Sequence, residues 1–157
     1  MDKKKLLNVA AAGLFLVALI LWFVVPVVAQ ASPEITYTFR DLTFGKTETV
    51  LGVEFVVFKF SFLNFLVPIL LVVGIALGVS RVVVKKLEKN KMLGFVLLAL
   101  GLVAVVLVFL TKSFAVMNEN VDKAEFFKDF KFTGGAVVTL LLAALGGVAG
   151  VGADLLK

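Results

Sequence analysis

Hydrophobic positions dominate four stretches of the chain, roughly 6–29, 60–80, 92–111 and 132–153, none of which holds a charged residue. Apolar side chains fall on every side of each stretch. A soluble helix keeps a polar face along its length, so an all-round apolar helix belongs in a large core or in lipid. A helix crossing a hydrocarbon core of about 30 Å needs about 20 such residues. The pattern predicts four transmembrane helices packed as a bundle.

Between the first two stretches the period changes. Residues 35–44 are rich in Thr, Tyr, Phe and Ile and alternate, with Ile35, Tyr37 and Phe39 on one side. These residue types favour strands. A polar segment with a glycine follows at 45–49. In GVEFVVFKFSF (52–62), Val53, Phe55 and Val57 share one face, and Glu54, Val56, Phe58 and Phe60 the other. Two such runs around a glycine-bearing connection predict an antiparallel hairpin. Its second strand is apolar on both faces. That marks Phe55, Val56, Phe58 and Phe60 as a candidate association face, since exposed apolar patches mark interfaces. The loop at 112–131 ends in Phe-rich sequence, which predicts a short helical turn after an Asn120 cap and then an extended piece.

The first stretch also carries features of a secretory leader: Lys3, Lys4 and Lys5 ahead of it, and Ala29-Gln30-Ala31 behind it. Its apolar part is longer than the usual leader core of 7–15 residues. The expectation is an uncleaved helix.

Composition supports the membrane reading. Hydrophobic residues make up 61% of the 157 positions, more than a core of this size buries. The chain has sixteen Lys and Arg against eleven Asp and Glu, and their distribution is informative. One side of the four-span layout holds nine Lys/Arg and three acids: the N-terminal tail, the loop at 81–91 and the C-terminus. The other side holds seven Lys/Arg and eight acids. Positive loops stay in the cytoplasm. Both termini and the 81–91 loop are therefore expected inside, with loops 31–59 and 112–131 outside, in the plasma membrane. Arg81, Lys85, Lys86, Lys89 and Lys91 are the topology signal and the candidate contacts to lipid headgroups.

Lipid offers no hydrophobic gain for helix association, so helices meet at small residues. Gly74-x-x-x-Gly78 and Gly146-x-x-x-Gly150 are the candidate helix-packing positions. Asn64 is expected to hydrogen-bond a neighbouring helix. No charge is expected well inside a span, which argues against a pump or a voltage sensor.

Catalytic chemistry finds no residues. Cysteine and histidine are absent, so disulfides, thiol nucleophiles and imidazole bases are excluded. No phosphate-binding loop, nucleophile elbow or dinucleotide fingerprint occurs. No catalytic, cofactor-binding or metal-ligating residue is expected, and no nucleic-acid partner.

The order of elements resembles the claudin and peripheral-myelin-protein-22-like tetraspan group: four spans, cytoplasmic termini, a β-rich first outer loop and a shorter second one. The resemblance covers nearly the whole chain as a layout. It implies a single domain, a four-helix transmembrane bundle bearing a small antiparallel sheet from the first outer loop. That family's Gly-Leu-Trp signature and paired cysteines are missing here, where the one tryptophan is Trp22. Barrier formation and ion selectivity therefore do not carry over. The Lys-rich start and simple Val/Leu/Phe spans are also similar to small four-span proteins of bacteria.

The function expected is that of a non-enzymatic membrane protein acting by lateral or extracellular association. Its partners would be the bilayer and either further copies or another membrane protein. A small channel or transport-complex subunit is the first alternative. A designed scaffold of claudin-like layout, without a natural function, is the second.

Overall fold

A computed structural model describes residues 2–32, 34–88 and 90–156. The elements in chain order are α1 (Lys3–Val24), β1 (Pro26–Gln30), β2 (Ile35–Thr38), α2 (Phe39–Phe44), β3 (Lys46–Val50), β4 (Val53–Lys59) and α3 (Phe62–Val83). They continue with α4 (Lys85–Glu88), α5 (Met92–Phe109), α6 (Thr111–Phe114), β5 (Val116–Met117), α7 (Lys123–Phe127), β6 (Lys131–Phe132) and α8 (Gly134–Leu155). Four helices, α1, α3, α5 and α8, are long and apolar enough to cross a membrane.

Short polar residues start these helices. The side chains of Asp2, Ser61 and Thr133 accept from backbone N–H groups in the first turns of α1, α3 and α8. Each satisfies a donor that the helix itself leaves free.

The four long helices form an up-and-down bundle in which α1 touches α3 and α8, and α5 closes the square against both. Glycines set how closely they approach. A Cβ on Gly74 or Gly146 would press on the Phe15 ring, and one on Gly78 would meet Ala12. A Cβ on Gly150 would lie 2.7 Å from Leu97, and one on Gly101 would lie 2.6 Å from the Ala143 carbonyl. Helices in lipid gain from such proximity through dispersion contacts, which fade as backbones separate. Phe15, Ala18, Trp22, Leu71, Leu97 and Leu140 fill the interior.

The short strands gather at the end of the bundle where α1 finishes and α3 starts, and they depart from the expected layout. The first helix stops at Val24, and residues 26–29, expected within the first span, form β1 together with Gln30. It pairs antiparallel with β2 on one side and β6 on the other. A second sheet has the order β3-β4-β5. The hairpin therefore runs 46–50 with 53–59, not 35–44 with 52–62. Residues 39–44 are helical because Thr38 and Asp41 close a capping box around the start of α2. The true turn is Leu51-Gly52, both at positive φ (52° and 82°), between the paired Val50 and Val53. Two positive φ values in a two-residue loop match the twist of the flanking strands. In the later loop a helical turn and a short strand do form, but Asp122 rather than Asn120 caps α7.

Candidate functional site

Three features at the two ends of the bundle carry polar or exposed side chains that the core does not explain. The first is the aromatic cap under the sheets. Phe58 is 1% exposed and sits at its centre. Its ring meets Tyr37 edge-on at 4.9 Å, Phe126 at 5.7 Å and Phe127 at 6.0 Å, and Phe126 stacks on Phe130 at 5.2 Å. Such pairs contribute beyond their buried area.

This corrects the expected association face. Phe58 shares sequence parity with Val56 and Phe60, yet it is buried. The pairing jumps from Lys46↔Phe58 to Thr47↔Val56, so Val57 is an extra residue on β4. A bulge of this kind breaks the alternation of faces. Phe55, Val56 and Phe60 remain exposed. Phe60 lies beside the rings of Phe44 and Phe65, whereas Phe55 and Val56 project from the outer half of the hairpin.

Polar side chains tie the cap to the bundle. The Asn64 amide donates to the carbonyls of Leu42 (3.0 Å) and Thr111 (3.2 Å), which joins α3 to α2 and α6. The Ser61 hydroxyl donates to the Phe114 carbonyl at 2.6 Å. Thr133 donates its hydroxyl to the Pro26 carbonyl, and its backbone N–H donates to Val27. Lys112 donates to the Phe130 carbonyl at 2.6 Å with its ammonium over the Phe132 ring. Burial of that ammonium lowers its pKa. Burial first, and the nearby Glu48 carboxylate second, push the Tyr37 hydroxyl well above its ordinary range, so it stays neutral.

The second feature is the free part of the hairpin. Lys46 and Glu48 of β3 lie against Tyr37, whereas the part of the hairpin nearer its turn is exposed. Val50, Val53, Phe55 and Val56 are exposed, and Leu51 at the tip is 100% exposed. Among the described residues the edge of β4 away from β3 is paired only at Phe58 and Lys59, leaving 53–57 open.

The third feature lies at the opposite, basic end. Arg81 was expected in the loop as a topology residue. Instead α3 continues to Val83 and buries Arg81 to 1% exposure. Its guanidinium donates to the Asp154 carboxylate of α8 and, at 3.1 Å, to the Gly150 carbonyl. Gly94 of α5 leaves the room that this carboxylate fills. Asn8 of α1 is fully buried at the same level: Ala12 lies opposite Gly78, so one turn towards that end Asn8 faces the Arg81 turn. Both Asn8 side-chain polar atoms, Arg81 Nε and Asp154 Oδ2 have no hydrogen-bond partner among the described residues. Lys85, Lys86 and Lys91 are exposed around this end, and Lys89 lies outside the described residues.

The sequence suggested the partner of Asn64 in kind. It gave no sign of the Arg81–Asp154 pair, whose members are 73 residues apart. The Lys123 ammonium, likewise unforeseen, ties the α7 turn to the carbonyls of Ser113 (2.6 Å) and Ala115 (3.2 Å).

The fold thus defines a mainly helical chain with four candidate membrane helices and small antiparallel sheets. Comparison with protein-family models, curated proteins and solved structures gives no significant match.

Proposed function

We propose that this is a four-span membrane protein, with both termini and the basic end in the cytoplasm, that acts by self-association through its outer hairpin rather than by catalysis. The observation that carries the reading is Leu51. A bulky residue at positive φ is a steric outlier, and Asn or Gly would close the same turn without strain. Retaining a fully exposed leucine there, between Val50 and Val53, costs conformational energy and water exposure together. Strain kept in a turn points to a use for it.

A second copy is the partner that the hairpin fits. Antiparallel pairing of two open β4 edges about Phe55 sets Val53 against Val57 and the two Phe55 rings against each other. The open N–H and C=O groups of residues 53–57 find partners in the same step, as in strand addition. The surface is apolar and symmetric, so it needs no complementary charge.

The absence of cysteine makes the test direct. Phe55→Cys in native membranes should give a disulfide-linked dimer under mild oxidation, while Asn90→Cys at the other end should not. Adding Leu51→Asp should lower the dimer yield severalfold. A Phe55→Cys protein that stays monomeric, or crosslinks only to another protein, contradicts self-association.

A further inference from the structure

We propose that the α1–α3 seam at the basic end binds one anionic phospholipid, with its phosphate among Lys5, Lys85 and Lys86 and one acyl chain along the helices below. The proposal rests on the reading that the four helices cross a bilayer.

Two cavities lie end to end on this seam. One, of about 490 Å³, is lined by Asp2, Lys5, Lys85, Lys86 and Glu88. The other, of about 340 Å³, is lined only by apolar side chains and a glycine, among them Val9, Gly13 and Leu16 of α1 and Ile75, Val79 and Val82 of α3. Residues 2, 5, 9, 13 and 16 recur every three or four positions, so they share one face of α1. At the end of α3 the lining residues Val82 and Val83 are followed, across the extended Val84, by Lys85 and Lys86 of α4. Head cavity and groove are therefore one continuous surface, polar at the membrane edge and apolar beneath it.

Its dimensions and charge select the occupant. From Lys5 to Leu16 the helix rises about 16 Å at about 1.5 Å per residue. Half of a hydrocarbon core of about 30 Å is about 15 Å, the depth that one leaflet's chain occupies. A Cβ on Gly13 would meet nothing within 4 Å, so the groove is open at its middle. Three lysines against two carboxylates leave one net positive charge, which balances the single negative charge of a phosphodiester. The carboxylates of Asp2 and Glu88 are placed to accept from headgroup hydroxyls. A partner helix would leave this charged head cavity without a counterpart.

The full chain, purified in mild detergent, is examined by native mass spectrometry with phosphatidylglycerol and phosphatidylcholine of identical acyl chains. One phosphatidylglycerol should be retained roughly tenfold better than phosphatidylcholine, in line with the attraction of clustered lysines for anionic lipid. The triple substitution Lys5→Gln, Lys85→Gln, Lys86→Gln should abolish that preference. Gly13→Leu, which fills the groove without touching the bundle interior, should lower retention of both lipids. Equal retention of the two lipids by the unaltered chain overturns the proposal. So does indifference to Gly13→Leu, or glycerol phosphate binding as well as the intact lipid. Carbonate extraction of the source membranes separates the two claims. A chain that stays in the membrane pellet without lipid preference loses the lipid site alone, and one that is released loses the membrane reading as well.

Discussion

Replacing Arg81 with methionine is expected to destabilise the bundle by about 3–5 kcal/mol, because it leaves the Asp154 carboxylate buried without its partner. The side chains of this pair are 1% and 6% exposed, and they join α3 to α8. The carboxylate would have no cation, and the Gly150 carbonyl would lose its donor. The cost comes from the charge left behind, not from the worth of the pair. The double substitution Arg81→Met, Asp154→Leu should therefore recover most of the loss, since a buried ion pair is often replaced by apolar residues with little penalty. Thermal unfolding in detergent of the two variants and the parent checks this. A double variant as unstable as the single one shows that the pair itself holds the helices together.

Phe58→Ala is expected to cost about 3–5 kcal/mol, as truncation of a buried aromatic does. The loss has two parts: the area returned to water at the cap, and the cavity left between Tyr37, Phe126 and Phe127. Under the proposed topology the cap stands outside the hydrocarbon core, where the hydrophobic effect applies in full. Phe55→Ala, three residues earlier on the same strand, should change stability by less than about 0.5 kcal/mol, because that ring is already 53% exposed. Unfolding midpoints of the two variants, measured side by side, give the contrast. Equal losses would mean that the strand does not bulge at Val57.

These two positions mark where the sequence is legible and where it stops. The four long helices follow from charge-free length alone, because a bilayer permits little else. Their ends do not. Residues 26–30 (PVVAQ) extend the apolar run of α1, and period cannot separate a short buried strand from a helix end. The sequence places the hairpin in the right region with the wrong first strand, because Gly45 and the polar residues after it carry as strong a turn signal as Leu51-Gly52. The Thr38-x-x-Asp41 signature of α2 was readable as a capping box. Phe58 looked equivalent to Val56 because alternation holds only until a bulge, and a bulge is set by pairing across strands. Arg81 looked like a loop cation because its partner lies on a helix far along the chain. Only the bundle, in which α8 runs parallel to α3 across the diagonal and α5 runs antiparallel to both, brings Asp154, Gly150 and Gly94 to it.

The bundle also accounts for the simple alphabet of the spans. Valine, leucine and isoleucine cover the outward faces, while glycine and alanine sit where helices cross. Hydrogen-bonding polar side chains sit near the helix ends, where Asn64 ties α3 to α2 and α6, and Arg81 ties α3 to α8. Close contacts at small residues give proximity, and the few polar groups give register.

Everything proposed for the outer hairpin and the lysine-lined cavity depends on the two ends facing opposite sides of one membrane. Single cysteines read this most directly in a chain that has none of its own. With Thr49→Cys on β3 and Asn90→Cys between α4 and α5, sealed cells are treated with a membrane-impermeant maleimide. Thr49→Cys should label in intact cells, and Asn90→Cys only after the membrane is opened. Labelling of both in intact cells, or the reverse order, contradicts the account.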